Sequence, residues 1–262
     1  MCNINAFFKN QPKSFTPDEV QAITGASFVN NPHSEGAFLN KKIVKSLTKI
    51  NFTKYQEEIK KTPLLVTHER LATTGGINLT NAHPIKINKN YYLAHNGVLS
   101  NLGNSLLSDS FVFAKTLKES LKTMEISKAI DNFTSNHHGS YSVIIFNSNG
   151  EEAYYFKNES TNINLYRLND NSFFLTTSNI NQNIIYEKIL REIELPDKIL
   201  FRFWYEGKRW KMRSLGKLHF KELTPVTTYS KGWNWKNKNG LYLDNYNDYW
   251  NGYSWKNKWR KK

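Results

Sequence analysis

The amino-acid sequence predicts an α+β fold built on antiparallel sheets. Short runs rich in β-branched and aromatic residues follow one another along the chain, and separate runs show helical spacing. Because strands follow strands rather than alternating with helices, this order favours antiparallel sheets over a doubly wound βαβ fold. The chain has 262 residues, which is long enough to bury a full core without disulfide bonds.

The predicted strands are bounded by Asn, Gly or Pro, as strands commonly are. Between two of them lies Asn149-Gly150, a dipeptide typical of a tight hairpin turn. The five predicted strands are residues 63–68, 90–95, 139–147, 151–157 and 172–177.

Two helices are predicted from their terminal residues and spacing. Thr16 has the side chain of an N-cap, Pro17 suits the first turn, and Glu19 completes a capping box. Residues 109–122 carry apolar side chains at helical spacing, with Asp at the start and Lys at the end, as the helix dipole favours.

The composition excludes several classes of protein. A single cysteine allows neither an internal disulfide nor a cysteine-based zinc site, and it suits a reducing cytosol. No stretch approaches the roughly 18 apolar residues of a membrane span, and the amino terminus lacks the pattern of a signal peptide. We therefore expect a soluble, basic, cytoplasmic protein.

The charge of +14 is unevenly distributed. Residues 231–262 carry eight Lys or Arg and two Asp, together with five of the seven tryptophans, and the tetrapeptide Trp-Lys-Asn-Lys occurs there twice. This composition predicts a domain over residues 1–225 and a basic, aromatic extension over residues 226–262. For the extension, docking or disorder is favoured over binding of single-stranded nucleic acid through stacked aromatic side chains.

The sole cysteine is Cys2. Methionine before a small side chain is normally removed, which would leave Cys2 with a free α-amino group. An α-amine has a pKa near about 7.7–8.0, so a useful fraction is neutral at physiological pH. It can act as the general base for the thiol of its own residue, as in enzymes with an amino-terminal nucleophile. The alternative is a small apolar residue at the start of a strand.

Two further motifs come at the ends of predicted strands. Arg70 lies in the run that follows residues 63–68, and a glycine pair at 75–76 ends that run. Asn96-Gly97 follows another strand. Asn-Gly is usually only a turn, but a side-chain amide beside a glycine N–H is also a ready pair of oxyanion donors.

Taken together, these runs resemble the class II glutamine amidotransferases, whose catalytic domain is an N-terminal-nucleophile hydrolase. Five blocks come in the family's order and near its spacing, and the resemblance covers roughly residues 2–205. The blocks are Cys2, His68-Glu69-Arg70-Leu71-Ala72-Thr73-Thr74-Gly75, Asn81-Ala82-His83-Pro84, His95-Asn96-Gly97 and Asp109-Ser110.

The resemblance implies a four-layer αββα sandwich and a glutaminase reaction. Cys2 would attack the side-chain amide of glutamine to form a thioester, and the Asn96 side chain and the Gly97 N–H would stabilise the oxyanion. Water would then release glutamate, and the ammonia would pass to a separate acceptor enzyme. No cofactor is expected, since the chain has neither a P-loop nor a dinucleotide-binding fingerprint.

The resemblance also implies how glutamine is bound. Arg70 would hold the α-carboxylate, supported by Thr73, and Asp109 would hold the α-ammonium. His83 and His95 are expected to support the loops around the pocket rather than transfer protons. The histidines lack the spacing of a metal site, so we predict no metal.

The sequence departs from the family at three places near the site. Asn3 follows the cysteine where the family usually has Gly, and residues 32–36 lack the family's Arg-Gly pair. Phe111 follows Asp109-Ser110 where the family often has Glu. Three functions stay open. A standalone glutaminase is favoured over a hydrolase of another γ-glutamyl amide, and over a non-catalytic protein whose tail contacts nucleic acid.

Overall fold

The computed structural model describes residues 2–161, 163–178 and 181–222. The predicted extension over residues 226–262 lies outside these residues, so the division at residue 225 stays a prediction. Within the described part, no helix is both long and apolar enough to cross a membrane.

The described residues form four helices and thirteen strands. The helices are α1 (Pro17–Asn30), α2 (Gln56–Lys61), α3 (Asp109–Ser120) and α4 (Ile126–Asn136). Short 3₁₀ turns occur at Phe52–Tyr55, Asn181–Ile184 and Tyr186–Lys188. The strands are β1 (Asn3–Phe8), β2 (Ser34–Leu39), β3 (Lys42–Ser46), β4 (Leu64–Arg70), β5 (Ile85–Lys86), β6 (Tyr91–Asn96), β7 (Ser142–Asn147), β8 (Glu152–Lys157), β9 (Asn164–Leu168), β10 (Phe173–Thr176), β11 (Ile189–Ile193), β12 (Ile199–Glu206) and β13 (Arg209–Lys217).

The strands form two antiparallel sheets. The first has the order β11-β9-β10-β1-β4-β2-β3, and the second has the order β13-β12-β8-β7-β6-β5. This arrangement confirms the predicted α+β class with antiparallel sheets.

Three apolar clusters hold four layers together. One lies between the sheets and contains Ile4, Val66 and Ile144. The second packs α3 and α4 on the outer face of the second sheet, and the third packs α1 and α2 on the outer face of the first sheet. The layer order is therefore helix, sheet, sheet, helix, as predicted.

The predicted capping box, hairpin turn and strands are all present in the structure. The Thr16 side chain accepts a hydrogen bond from the Glu19 N–H, and the Glu19 side chain accepts one from the Thr16 N–H, so the capping box is present. Asn149-Gly150 joins β7 to β8, and Gly150 takes a φ of 71°, which favours glycine. All five predicted strands are present, although β7 begins at Ser142, three residues later than expected.

Strand β1 lies in the middle of the first sheet, between β4 and β10. Ile4 and Ala6 face the space between the sheets, whereas Phe7 faces α1. Since side chains alternate along a strand, Cys2 belongs to the face between the sheets. The pairing of Asn3 with Glu69 brings the carboxyl end of β4 beside Cys2.

Candidate active site

The thiol of Cys2 contacts the backbone just beyond β4. The Leu71 N–H donates a hydrogen bond to Sγ over 3.3 Å, and the Leu71 carbonyl oxygen lies 3.4 Å from Sγ as an acceptor. Cys2 is half-buried and forms no disulfide. The pairing of β1 with β4 thus fixes the position of the sulfur.

Opposing effects act on the Cys2 thiol. Burial raises its pKa, while the hydrogen bond from Leu71 and the positive charge of Arg70 lower it. Asp109 raises it slightly further. The net shift is upward, so the thiol is mostly protonated at neutral pH and needs a base before it can act as a nucleophile.

Arg70 ends β4 and turns its guanidinium toward the loop that follows. It donates to the carbonyl oxygen of Thr74 over 2.7 Å and to that of Gly76 over 3.2 Å. The residue is 3% exposed, and no carboxylate in the described part of the chain forms an ion pair with it. Its positive charge is therefore available to an anionic ligand.

Asp109 is the first residue of α3, which Ser108 caps. One carboxylate oxygen accepts from the Leu99 N–H over 2.8 Å, and the other accepts from the Ser110 N–H over 2.8 Å and the Thr74 hydroxyl over 3.2 Å. These contacts fix the carboxylate at the amino-terminal end of the helix. They are all neutral donors, so its negative charge has no cationic partner among the described side chains.

Asn96 and Gly97 lie at the end of β6. The Asn96 side chain is buried, and its Oδ1 has no hydrogen-bond partner among the described residues. A Cβ atom on Gly97 would lie 2.0 Å from the Ser140 carbonyl oxygen, so no other residue fits there. The turn therefore has a fixed backbone, and no described residue donates a hydrogen bond to the side-chain oxygen of Asn96.

His95 connects the Asn96–Gly97 turn to α3. Its Nε2 lies 3.0 Å from the Ser140 carbonyl oxygen, and its Nδ1 lies 2.9 Å from the Ser110 hydroxyl. Burial lowers the pKa of His95. A neutral ring with the proton on Nε2 satisfies both contacts, since Nε2 then donates and Nδ1 accepts.

His83 stacks on His68, with ring centroids 4.0 Å apart. His68 Nε2 lies 3.1 Å from the His95 carbonyl oxygen, a bond that joins β4 to β6 across the sandwich. Burial lowers the pKa of His68 to about 3 and that of His83 well below its usual range. Both rings are thus neutral, which suits a structural role better than proton transfer at neutral pH.

Thr73 and Thr74 occupy different environments. The Thr73 side chain is exposed, whereas Thr74 contacts Asp109 through its hydroxyl and accepts from the Asp109 N–H over 3.3 Å. The motif predicts a role in glutamine binding for Thr73 and none for Thr74. Thr74 belongs to the same motif, but the sequence does not show that its hydroxyl contacts Asp109 on α3.

His33 is a second residue that the sequence reasoning did not select. It lies in the segment that lacks the family's Arg-Gly pair, and its Nδ1 accepts from the Ala72 N–H over 2.8 Å. The His33 N–H also donates to the Arg70 carbonyl oxygen over 3.1 Å. The loop before β2 therefore holds the backbone on both sides of Leu71, the residue that contacts Cys2.

Hydrogen bonds link Cys2, Arg70, Asp109 and the Asn96–Gly97 turn into one region. The Cys2 sulfur accepts from the Leu71 N–H, and Arg70 donates to the Thr74 carbonyl oxygen. The Thr74 hydroxyl donates to Asp109, which in turn accepts from the N–H of Leu99, two residues beyond Gly97. The described part of the chain contains no group of three or more His, Cys, Asp or Glu side chains placed to hold a metal ion.

Comparison with known proteins gives structural matches only. No family model and no curated protein sequence matches the chain. The glutamine phosphoribosylpyrophosphate amidotransferase of B. subtilis, complexed with ADP and GMP, aligns over 82% of this chain and 49% of its own, with a TM-score of 0.56 and 14% identity. An allosteric regulatory enzyme of purine biosynthesis aligns over the same shares with a TM-score of 0.58 and 18% identity.

A predicted glutamine amidotransferase from Pseudomonas aeruginosa PA01 aligns over 82% of this chain and 95% of its own, at a TM-score of 0.44 and 12% identity. The chain spans about half the length of the first two structures. Their likeness shows the fold alone: this chain shares the α+β sandwich of antiparallel sheets of these two structures.

Proposed function

We propose that this protein hydrolyses the side-chain amide of glutamine, with Cys2 as the nucleophile, to give glutamate and ammonia. The observation that carries the proposal is the contact of the Cys2 thiol with Leu71, directly after Arg70. Around that contact lie the buried guanidinium of Arg70, the hydrogen-bonded carboxylate of Asp109 and the side-chain amide of Asn96. The Oδ1 of that amide has no hydrogen-bond partner among the described residues. The fold shared with glutamine amidotransferases supports the same reaction class.

The base in this proposal is the α-amine of Cys2 after removal of Met1. The three histidines near the site are buried, and burial lowers the pKa of each ring, so they do not compete for this role. The amine takes the thiol proton as sulfur attacks the amide carbon, and it returns the proton to the leaving ammonia. Water then attacks the thioester and releases glutamate and the free thiol.

Glutamine is a zwitterion, and its binding calls for two opposite charges at a fixed separation. Arg70 binds the α-carboxylate, with the exposed Thr73 hydroxyl as a second donor. Asp109 binds the α-ammonium. Both charged side chains lack a counter-ion in the described residues, so the ligand supplies the missing charges.

The tetrahedral intermediate places a negative charge on the former amide oxygen. The Asn96 side chain and the Gly97 N–H are its donors in this proposal. One such donor typically lowers the barrier by about 3–4 kcal/mol. His83 and His95 keep the surrounding loops in place.

In this proposal, the ammonia passes to a separate acceptor enzyme. A single thiol without a disulfide partner suits a reducing compartment, such as the cytoplasm. A hydrolase of another γ-glutamyl amide would use the same chemistry with a different leaving group.

A glutaminase assay on the wild-type full chain and on Cys2→Ala tests this function. We expect glutamate and ammonia from the wild type and none from Cys2→Ala, with unchanged circular dichroism. Ammonia release that persists in Cys2→Ala would refute the mechanism. If the protein clearly prefers γ-glutamyl amides with bulky leaving groups over free glutamine, the substrate is another γ-glutamyl amide, and Cys2 remains the proposed nucleophile.

A further inference from the structure

A cavity of about 410 Å³ lies at the end of the sandwich remote from Cys2. Lys9, at its wall, directly follows β1, and Cys2 directly precedes that strand. Seven steps of extended chain separate the two residues, or about 23 Å. The cavity is therefore distinct from the candidate active site.

Both sheets contribute to the walls of this cavity, which we term the lysine cavity. The first sheet supplies the chain after β1, the β2–β3 turn at residues 40–41 and the connection from α2 to β4 at residues 60–63. The second supplies Asn149, from the β7–β8 turn, and Tyr205, near the end of β12. Turns that are fixed by strand pairing on two sheets give the cavity a defined shape.

The lining of the lysine cavity is strongly cationic. Among the described residues that line it, Glu151 is the only acidic one, and the four basic ones are Lys9, Lys41, Lys60 and Lys61. Lys60 forms an ion pair with Glu57. No carboxylate of the described chain forms an ion pair with Lys41 or Lys61. The positive charge therefore exceeds what the protein itself neutralises.

Lys9 is the most informative of these residues because it is only 2% exposed. Among the described residues, its ammonium makes one hydrogen bond, to the carbonyl oxygen of Ile59, and it has no carboxylate partner. Burial lowers the pKa of Lys9 to about 8. A buried ammonium without a counter-ion is unfavourable, and a bound anion would compensate it.

We propose that the lysine cavity binds a small molecule that carries phosphate groups. Lysine ammonium groups are strong donors to phosphate oxygens. The side-chain amide of Asn149 adds a neutral donor, and the half-buried ring of Tyr205 offers a flat apolar surface to the rest of the ligand. Several lysines around one cavity favour two or more phosphate groups over one. The inference does not depend on the glutaminase reaction.

Isothermal titration of the full chain at low ionic strength with inorganic phosphate, pyrophosphate and ADP tests this site. We expect pyrophosphate and ADP to bind more tightly than phosphate, because they engage more lysines at once. If ADP binds more tightly than pyrophosphate, the site recognises a nucleotide; if the two bind equally, it recognises the phosphates alone. Either of these two results would support the binding of phosphate groups in the lysine cavity.

Variants then locate the binding. Lys41→Ala and Lys61→Ala each remove an exposed side chain of the lysine cavity and should weaken pyrophosphate binding by about tenfold. Lys54→Ala removes an exposed lysine outside the cavity and should change the affinity by less than about twofold. Lys9→Met should abolish binding, with circular dichroism to check its fold.

Three results would overturn the proposal. The first is no detectable binding of any of the three anions by the wild type at millimolar concentration. The second is an equal loss of affinity in Lys41→Ala, Lys61→Ala and Lys54→Ala, which would mean that only net charge matters. If Lys41→Ala and Lys61→Ala bind as the wild type does, the anion lies elsewhere and the proposal also fails.

Discussion

The sulfur of Cys2 lies 3.3 Å from the backbone nitrogen of Leu71, the residue that follows Arg70. This contact follows from the antiparallel pairing of β1 and β4, in which Asn3 lies opposite Glu69. The cysteine and the buried arginine are thus held by two neighbouring strands. In the proposed reaction, they act on the two ends of one glutamine molecule.

Asp109→Asn should weaken glutamine binding. The amide oxygen can still accept from the Leu99 N–H, but the amide NH2 replaces the oxygen that accepts from the Ser110 N–H and the Thr74 hydroxyl. The side chain also lacks the negative charge that binds an ammonium group. Loss of a charged hydrogen bond of about 1.5–3 kcal/mol predicts a rise of roughly 10- to 150-fold in KM. Steady-state kinetics measure it, with Asp131→Asn, remote from Cys2 on α4, as the control. An unchanged KM in Asp109→Asn would remove Asp109 from the binding site.

Asn96→Ala should act on the chemical step rather than on binding. The side-chain amide is proposed to contact the oxyanion, which exists only in the intermediate, so kcat should fall by about 10²–10³ with little change in KM. Asn132→Ala, an exposed asparagine on α4, serves as the control. A rise in KM without a fall in kcat would assign Asn96 to ground-state binding.

Thr74→Val and Thr73→Val should differ in stability. Thr74→Val leaves the Asp109 carboxylate and N–H each short of one partner, which should lower the free energy of unfolding by about 1–2 kcal/mol. Thr73→Val alters an exposed side chain and should stay within about 0.5 kcal/mol of the wild type. Urea denaturation of both variants gives the comparison. Equal stabilities would mean that the Thr74 contact contributes nothing.

A buried carboxyl pair predicts a pH-dependent stability. Glu35 and Glu69 lie opposite each other on β2 and β4, both fully buried. Burial raises the pKa of Glu35 to about 7 and that of Glu69 well above its usual range. Once the pH exceeds the pKa of an unfolded glutamate, the folded state therefore binds more protons than the unfolded state. The free energy of unfolding then falls as pH rises from about 4.5 to 7.

Glu35→Gln should remove the part of this dependence that Glu35 contributes, while Glu69 retains its own part. Relative to the wild type, its free energy of unfolding should rise by about 3 kcal/mol between pH 4.5 and pH 8, since one pKa unit corresponds to about 1.4 kcal/mol. Denaturation at both pH values measures the difference, and Glu57→Gln, which changes an exposed carboxylate, is the control. Parallel pH profiles for Glu35→Gln and the wild type would show that Glu35 is ionised in the folded protein.

The sequence predicted the strands whose residues carry strong local signals. Residues 63–68 begin with Pro63 and continue with Leu, Leu, Val and Thr, a pattern that predicts a strand, and the structure gives this strand as β4. By contrast, β2 contains Ser34, Glu35 and Gly36, which have low strand propensity, yet the strand is fully buried. Its pairing with β3 and β4 overrides those propensities, and no local pattern shows this.

The site was predictable in its residue types but not in its contacts. The motifs identified Cys2, Arg70 and Asp109 because their order and spacing resemble a family. The hydrogen bonds from Thr74 to Asp109 and from Ala72 to His33 join segments that are 35 and 39 residues apart. Such contacts depend on strand register and loop packing, which a single sequence does not specify.

The proposed reaction depends on Cys2, with a free α-amine, as the nucleophile. Intact-protein and peptide mass spectrometry after incubation with a diazoketone analogue of glutamine tests this role most directly. We expect one covalent adduct per chain, on the sulfur of an amino-terminal peptide that begins at Cys2. A chain that retains Met1 and still hydrolyses glutamine, or that hydrolyses it without any adduct at Cys2, would contradict this mechanism.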